Sequence, residues 1–432
     1  MKTTTTLASA PAVSRGGLLA TLRAWTQDFA PILSTLKRHK IAAGLIVLEV
    51  ALTCTIVTNA LHMIQTRAQL LSVNSGLAEA ELGVLNARGS RPQDPLTFDS
   101  RLRSDLAVLR ALPGVKSAIA VNQHVFGGSS NNSGVSLSPD TQAPRVTVAQ
   151  YSSDEHLLPT FGLQLLEGRN FLPNEVHADS RDDEGDDARI GVVLINKVLA
   201  DKLFPGRSAL GQRLYGLGGG DAPVTVIGVV GTLTHPYLHK SRRQDGYAVV
   251  VPVRSGGSYV VRTDPAQMDT VLKAASRALE RNEQGRVVTS NKPLTQLRSE
   301  FFAQDRAMAW LMGGVCAALL LVTAMGIVGL ASFWVQQRTR MIGTRRALGA
   351  TQGQILRYFL LENLLLTTTG IVIGLAGALG LSQLLMQSYA LPRLPWFYLP
   401  AGALTLWVLG QLAVWVPARR AARLSPVAAL RA

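Results

Sequence analysis

The chain has 432 residues, 47% of them hydrophobic, and a mean hydropathy of +0.20, which is apolar for a soluble protein. It has 43 basic and 28 acidic residues, a net charge of +15 that raises the question of a nucleic-acid partner. However, residues 65–306 contain 27 basic and 25 acidic residues, so nearly all of the excess lies beside the long apolar stretches. This distribution indicates membrane topology and anionic lipid, and we expect no nucleic-acid partner.

The first 40 residues precede any apolar span. Apolar residues recur at steps of three and four between Leu18 and Leu36, which predicts a helix lying on the inner membrane surface. An ordinary packed helix is the alternative interpretation. We expect residues 1–40 to be cytosolic, and the apolar stretch that follows to be an uncleaved anchor, since it ends in no clear cleavage site.

Four stretches are long and apolar enough to cross about 30 Å of hydrocarbon: residues 41–64, 307–335, 362–386 and 398–417. Basic residues cluster before the first span, between the second and third, and after the fourth. The positive-inside rule therefore places both termini in the cytoplasm. The remaining segments are an extracytoplasmic region at 65–306, a cytosolic segment at 336–361, an outer loop at 387–397 and a cytosolic tail at 418–432.

The region 65–306 is large enough for one or two compact domains. Helix and strand patterns occur near its start, at 100–126, and near its end, at 257–290, where Asp264 and Pro265 open a helix. Between them lie short β-branched runs separated by turn residues. The predicted fold class is a membrane protein with four transmembrane helices, one plus three. A large α+β domain separates the first two, with a β-rich insert between two strand-and-helix units.

Motifs of catalysis are absent from the sequence. It contains no phosphate-binding GxxxxGK[ST], no HExxH and no GxSxG, and both cysteines lie in apolar spans. The acidic tract at 179–187 fits a solvated loop better than a calcium site, and the glycines at 218–220 fit a turn. We expect no catalytic residue, no metal site and no cofactor bound by this chain.

Polar and small residues inside the spans are candidates for packing or function. Glu49 lies nine residues into the first span, where a charge costs about 2.5 kcal/mol or more unless it is sheltered. It is either a gating or substrate contact or a polar packing contact between helices. Glu362 opens the third span, and we expect a structural role at that helix N-terminus. A small-residue face suited to close helix packing, such as that of a dimer, is formed by Gly370, Gly374 and Gly377.

Residues 338–350, "RTRMIGTRRALGA", place four arginines and no acid between two spans. Gly343, Gly349 and Gly353 predict breaks between short helical pieces, and Thr351 is a candidate N-cap for the next helix. A basic element of this kind can dock on a cytosolic partner, but simple positive-inside charge would explain the arginines as well.

This stretch resembles the segment before the third span in MacB-like permeases of ABC transporters, a family that includes lipoprotein-releasing and FtsX-type proteins. The order of one span, a large outer domain and three spans is also similar. Further phrases that resemble the family are "PGV" (113–115), "LEGRNF" (166–171), "NKVLADKLFPG" (196–206), "VIGVVG" (226–231) and "RLSPVAALRA" (423–432).

The resemblance implies a permease that performs no ATP chemistry and transmits motion from a separate ABC ATPase dimer, which would bind ATP and Mg. A second permease copy or a non-identical permease, and for export a periplasmic adaptor and an outer-membrane duct, are the other implied partners besides membrane lipid. Met341 stands where the family usually has an acid, so an expected salt bridge to the ATPase is missing. The implied contact residues are Arg338, Arg340, Met341, Ile342, Gly343, Arg345, Arg346, Leu348, Gly349 and Ala350.

Three functions fit this architecture, and a membrane sensor is a fourth alternative, against which the three closely packed C-terminal spans weigh. The leading hypothesis is export of a drug, peptide or lipidic substrate from the outer side of the inner membrane. Extraction of lipoprotein or lipid is the second, and cargo-free regulation of cell-wall hydrolases is the third. The 242 residues of the outer region weigh against the regulator, whose outer domain is usually smaller.

Overall fold

The outer region and the apolar helices form separate units in the computed structural model. We call Ala68–Ala307 the outer unit, and Met1–Arg67 with Met308–Ala432 the membrane unit. The amphipathic helix, the acidic tract, the glycines at 218–220 and residues 424–432 of the tail lie outside the described residues. The structure describes residues 40–89, 95–128, 130–140, 142–178, 190–217, 222–238, 246–389 and 394–423.

The described residues of the outer unit form strands and shorter helices, after a first helix that begins in the membrane unit. In chain order they are α1 (Lys40–Leu71), β1 (Leu82–Arg88), α2 (Pro95–Arg110), β2 (Val115–Val121), β3 (Asn132–Val135), β4 (Val146–Ser152), α3 (Leu157–Phe161), β5 (Leu165–Gly168), β6 (His177–Ala178), β7 (Val192–Asn196), α4 (Lys197–Leu203), β8 (Arg213–Leu214), β9 (Val224–Val230), β10 (Ala248–Val251), β11 (Val253–Arg254), β12 (Ser258–Thr263), α5 (Met268–Asn282), β13 (Val287–Pro293) and α6 (Leu294–Phe301).

A four-stranded antiparallel sheet joins the two sequence ends of the outer unit, in the order β13-β1-β12-β2. The helices α2 and α5 cover it through an apolar cluster that includes Leu109, Val271 and Leu272, each at most 3% exposed. The predicted helix start at Asp264 is confirmed, since its carboxylate accepts a hydrogen bond from Ala266 N (2.9 Å) before a 3₁₀ turn leads into α5.

The β-rich insert lies between β2 and β12 in the sequence and forms a seven-stranded mixed sheet. Its strands follow the order β3-β4-β10-β7-β9-β5, with β8 on β9. The helix α4 packs on this sheet, and its N-cap is Asn196, whose side chain accepts from Leu199 N at 3.1 Å. Apolar residues of both sheets, among them Ile119 and Tyr151, share one buried cluster, so the insert and the four-stranded sheet fold around a common core.

Arg298 on α6 connects the two ends of the outer unit. Its guanidinium donates to the carbonyl oxygens of Leu71 (2.8 Å), the last residue of α1, and of Val73 (2.7 Å) just after it, and pairs with Glu79 Oε1 at 2.6 Å. The same group lies over the rings of Phe126 (5.4 Å) and Phe302 (5.9 Å). One planar cation thus satisfies the C-terminal carbonyls of α1 and fixes them to the segment that leads into the next helix.

His124 gives the outer unit a predicted acid sensitivity. It is 7% exposed and hydrogen-bonds Val125 O through Nδ1 (3.0 Å). Burial lowers the pKa of His124, and the backbone hydrogen bond offsets this in part. Because the folded-state pKa lies below the unfolded value of about 6.5, the stabilisation is complete above pH 6.5 and is lost as pH falls toward the folded pKa.

We therefore expect His124→Gln to flatten the pH dependence of unfolding below pH 6.5. In the wild type this histidine contributes a slope of up to about 1.4 kcal/mol per pH unit in that range. Thermal unfolding of wild type and variant between pH 5 and 8 measures the difference. The offset at pH 8, where both states are neutral, reports the packing change alone, and equal slopes below pH 6.5 would contradict the assignment.

Four helices of the described residues are long and apolar enough to cross a membrane: α1, α7 (Ala303–Gln337), α9 (Gln352–Tyr389) and α10 (Tyr398–Ala422). Each contains one of the predicted spans, and each is longer than that span. The third differs most, since α9 begins ten residues before the predicted start at residue 362. A short helix, α8 (Thr339–Ala347), lies between α7 and α9. The predicted fold class is confirmed.

Candidate coupling element and polar contacts of the membrane helices

The segment predicted to contact an ATPase folds as α8. It ends where Leu348 N donates to Thr344 O (3.0 Å) and Gly349 adopts a left-handed φ of +98°, which glycine tolerates best. The breaks predicted at Gly343 and Gly353 are wrong. Gly343 is buried inside α8, and Gly353 is the second residue of α9, because an isolated glycine costs a helix only about 1 kcal/mol and packing offsets that cost.

The N-cap predicted at Thr351 is confirmed. Its hydroxyl accepts from Gln354 N (3.3 Å), and the Gln354 side chain accepts from Thr351 N (2.8 Å). This reciprocal pair is a capping box, which satisfies two backbone donors at the start of α9. The link between α8 and α9 is therefore short, at residues 348–351, and is fixed at both ends.

The predicted contact residues divide by exposure. Arg340, Arg345, Leu348 and Gly349 are exposed, and the 84% exposure of Leu348 is unusual for a large apolar side chain. Those that are partly buried are Met341, Arg346 and Ala350, and those that are buried are Arg338, Ile342 and Gly343. The surface available to a partner is therefore basic with one apolar residue, and the other predicted residues face the helices.

Two side chains hold α8 against its neighbours. Ile342 is 2% exposed and belongs to the apolar cluster that includes Ala418 and Ala421 of α10. The guanidinium of Arg345 lies 4.9 Å from the ring centroid of Tyr358 on α9, within the range of a cation–π interaction. These contacts attach α8 to both α9 and α10.

Arg338 and Glu362 form a buried ion pair. Arg338 Nη1 lies 3.0 and 2.8 Å from the two carboxylate oxygens of Glu362, and the residues are 7% and 1% exposed. The guanidinium also lies 5.6 Å from the ring centroid of Trp334, one turn earlier on α7. A small cavity of about 10 Å³ adjoins Glu362, Trp334 and Asn363. This pair joins the end of α7 to α9.

The pair corrects two sequence predictions. Arg338 faces inward rather than toward a partner, because it follows α7 by one residue and points back along that helix onto α9. Glu362 is not at a helix N-terminus, since α9 begins at Gln352, so the helix dipole does not balance its charge. Its structural role rests on Arg338.

Glu49 lies at the contact between α1 and α7. Its carboxylate faces Gly326, where an added Cβ would lie 2.5 Å from Oε2, and no described residue hydrogen-bonds to it. One turn along, the hydroxyls of Thr53 and Thr323 hydrogen-bond at 2.8 Å, both of them buried. The contact between helices comes from the threonines, while the carboxylate packs on glycine backbone, so both interpretations of Glu49 stay open.

The small-residue face of α9 packs on α1 of the same chain. Cβ atoms added at Gly370, Gly374 or Gly377 would collide with residues 47–55 of α1. Thr55 Oγ1 donates to Gly374 O at 2.9 Å, a bond that such close approach permits. The expectation of a packing face is therefore met within one chain.

Two acidic groups of the outer unit are structural. Asp105 is 1% exposed, accepts hydrogen bonds from Tyr259 (2.6 Å) and Asn282 (2.7 Å), and pairs with Arg286. Burial and this carboxylate raise the pKa of Tyr259 well above its ordinary value.

A second acidic group could supply ligand atoms to a metal, since these atoms lie within 4.8 Å of one another on Asp154, Glu155 and His156. Asp154 is already bound by the guanidinium of Arg110 at 2.6 Å, which favours an ion pair over a metal.

Family models match both parts of the chain. The model of the FtsX-like permease C-terminal matches residues 314–426, and that of the MacB-like periplasmic core domain matches residues 41–278, more than half of the chain. The chain belongs to the MacB-like permease family of ABC transporters. The FtsX-like match begins within α7 and includes α8.

Three curated relatives resemble this MacB-like permease. The uncharacterized ABC transporter permease YvrN of Bacillus subtilis is 26% identical over 298 residues, covering 65% of this chain and 69% of the relative. The pyoverdine export ATP-binding/permease protein PvdT of Pseudomonas syringae pv. syringae is 27% identical, covering 85% and 52%. The macrolide export ATP-binding/permease protein MacB of Chromobacterium violaceum is 28% identical, covering 62% and 41%. The chain spans about half the length of these two exporters.

Trp334 and Tyr358 are site residues that sequence reasoning missed. Each stacks on an arginine of the basic segment, Trp334 on Arg338 and Tyr358 on Arg345. The sequence does contain a signal for these contacts. An aromatic residue stands on each side of the run of arginines, one helical turn before Arg338 and seven residues after Thr351, and such placement suits cation–π contacts.

Proposed function

We propose that this chain is the transmembrane permease subunit of a MacB-like transporter, which couples ATP hydrolysis by a separate ATPase to movement of its outer unit. The observation that carries the proposal is α8. It presents exposed arginines and Leu348 on one side, while its other side is fixed to the membrane helices. A helix exposed in this way suits a protein partner better than a loop whose only task is to hold charge.

The contacts of α8 supply a route for motion. A partner that binds Arg340 and Leu348 would displace α8 as one body, because Ile342 and Arg345 attach it to α10 and α9. The ion pair of Arg338 and Glu362 would pass the same displacement to α7. ATP and Mg would be bound by the ATPase, and this chain contributes the mechanical connection.

The names of two relatives support the substrate class that we propose. Two of them are named as exporters, of pyoverdine and of macrolides, which supports export of a drug, peptide or lipidic substrate from the outer side of the bacterial inner membrane. We propose a pair of permeases, as two copies or two non-identical chains, bound to an ATPase dimer. A periplasmic adaptor and an outer-membrane duct would complete an export path.

Leu348→Asp tests the proposed contact. The change adds an acid to the centre of a basic, exposed surface and touches no buried contact, so we expect a folded permease that loses the ATPase. Truncating a central interface residue commonly costs 2 kcal/mol or more, at least a roughly 30-fold loss of affinity. Tagged protein is purified from native membranes, and retained proteins are identified by mass spectrometry with ATPase activity measured on the complex.

The matched control is Arg423→Asp, which places the same acid at an exposed position just after α10 and outside the α8 surface. It should keep the ATPase. Retention of an ATPase by Leu348→Asp at the wild-type level would remove the proposed role of α8. If intact wild-type protein retains no ATPase, the coupling proposal as a whole fails.

A further inference from the structure

A small cavity lies where the four long helices of the membrane unit meet. Its volume is about 10 Å³, and each of these helices contributes to its lining: Ile46 on α1, Ile327 and Trp334 on α7, Glu362 on α9 and Val414 on α10. A cavity needs roughly 10–15 Å³ to hold one water molecule, so this one has room for a single water and for no larger ligand.

Two buried donors at this cavity have no acceptor among the described residues. Trp334 Nε1 and Asn363 Nδ2 are shielded from solvent and donate to none of these residues, and the two side chains belong to residues that are 4% and 5% exposed. A buried N–H without an acceptor is costly, because it has given up its hydrogen bond to water. The carboxylate of Glu362, which pairs with Arg338, borders the same cavity. Two donors and one acceptor therefore surround a volume that fits one water.

We propose that this cavity binds one water molecule, which accepts hydrogen bonds from Trp334 and Asn363 and donates one to the carboxylate of Glu362. Water suits the site because its oxygen accepts two hydrogen bonds while its hydrogens donate, and buried waters make about three bonds of this kind. The water would link α7 to α9 beside the ion pair. The site rests on buried residues alone and does not depend on the proposed ATPase contact.

Other occupants fit the cavity less well. A chloride ion would accept from both donors, but the carboxylate of Glu362 would repel it. A cation would meet Arg338 and two N–H groups, none of which offers it a lone pair. Cavities that stay dry are lined by apolar groups, whereas this one has two donors and a carboxylate on its wall.

The test measures hydrogen bonding of the Trp334 indole by ultraviolet resonance Raman spectroscopy of the intact protein, purified with any subunits that it retains. The signal of one indole is the difference between spectra recorded with and without its phenylalanine substitution, Trp334→Phe or Trp407→Phe. Trp407 is the matched reference, since its Nε1 donates directly to Thr368 Oγ1 at 3.0 Å. We expect Trp334 to give the band position of a bonded N–H, as Trp407 does. A free N–H at Trp334 overturns the proposal.

Two further variants show whether the acceptor of Trp334 is a water shared with Asn363. Asn363→Leu removes the second donor and adds apolar volume, and Val414→Ile adds a methylene group to the cavity wall without removing a donor. Each variant should expel the water, so the bonded band of Trp334 should be lost while that of Trp407 stays. If one variant fails to fold, the other still decides. A bonded Trp334 in either folded variant would show a direct protein acceptor and overturn the proposal.

The control is Val416→Ile, the same substitution at a position of α10 that is 53% exposed, and it should leave Trp334 bonded. Equal loss of the bonded band in this control would also count against the site. A cryo-electron microscopy map that resolves water elsewhere in the membrane helices should show a peak within about 3.2 Å of Trp334 Nε1 and Asn363 Nδ2. Such a map without this peak would contradict the proposal. None of these readouts depends on an ATPase partner.

Discussion

Replacing Arg338 by methionine is expected to destabilise the membrane helices by about 3–5 kcal/mol, the cost of leaving a buried charge without its partner. Glu362 is 1% exposed, and its two oxygens lie 3.0 and 2.8 Å from Arg338 Nη1. The methionine has a similar stem but cannot balance this carboxylate. The measurement is the midpoint of thermal unfolding in detergent, which should fall by on the order of 10 °C.

The double variant Arg338→Met with Glu362→Met separates charge from packing. Replacing both partners of a buried ion pair by apolar residues is often neutral or stabilising, so the double variant should regain most of the lost stability. Arg340→Met, at an exposed position of the same segment, should change the midpoint little. If the double variant is as unstable as Arg338→Met, the ion pair is not the cause.

A second large effect is expected from Arg298→Met in the outer unit. This change removes an ion pair with Glu79 and leaves the carbonyl oxygens of Leu71 and Val73 without their donor. Hydrogen bonds to charged groups contribute about 1.5–3 kcal/mol, so a loss of about 3 kcal/mol is expected for the set. Arg298→Lys keeps the charge without the planar fork and should give an intermediate loss.

Lys292→Met is the matched control for Arg298. Lys292 pairs with Glu300 at 2.8 Å, but both side chains are more than a third exposed, and such pairs contribute at most about 1 kcal/mol. All three variants are compared by unfolding the full chain and monitoring the loss of secondary structure by far-UV circular dichroism. Equal losses for Arg298→Met and Lys292→Met would show that the bonds to the α1 carbonyls add nothing.

Composition predicted the membrane part of the fold well, because the length and polarity of a span are properties of the sequence alone. The strands β2 and β12 were also predicted from local alternation. The strand β1 was not, since "LGVLNAR" has no clear two-residue pattern and its residues are ordered by pairing with β12 and β13. Pairing with strands distant in the sequence, rather than a local pattern, therefore determines the extended conformation of β1.

The site was predicted less completely. Which side chains of a basic segment face the other helices depends on the residue at which its helix starts, and the sequence does not give that residue. With α8 starting at Thr339, Ile342 and Gly343 turn inward and Arg340 turns outward. The pairing of Arg338 with Glu362 joins residues 24 apart. It was open to prediction from the rule that charges in a membrane seek partners, but the sequence offered other arginines as well.

The sheet that joins the ends of the outer unit has a consequence for the order of folding. Leu82 of β1 pairs with Arg262, and Gly83 pairs with Pro293, so β1 leaves the ribosome about 180 to 210 residues before its two partners. Pairing across such separations closes very long loops and is slow. Until β12 arrives, a hydrophobic strand with both edges unpaired must be kept from aggregating, and the insert, complete by Val251, has the opportunity to fold first.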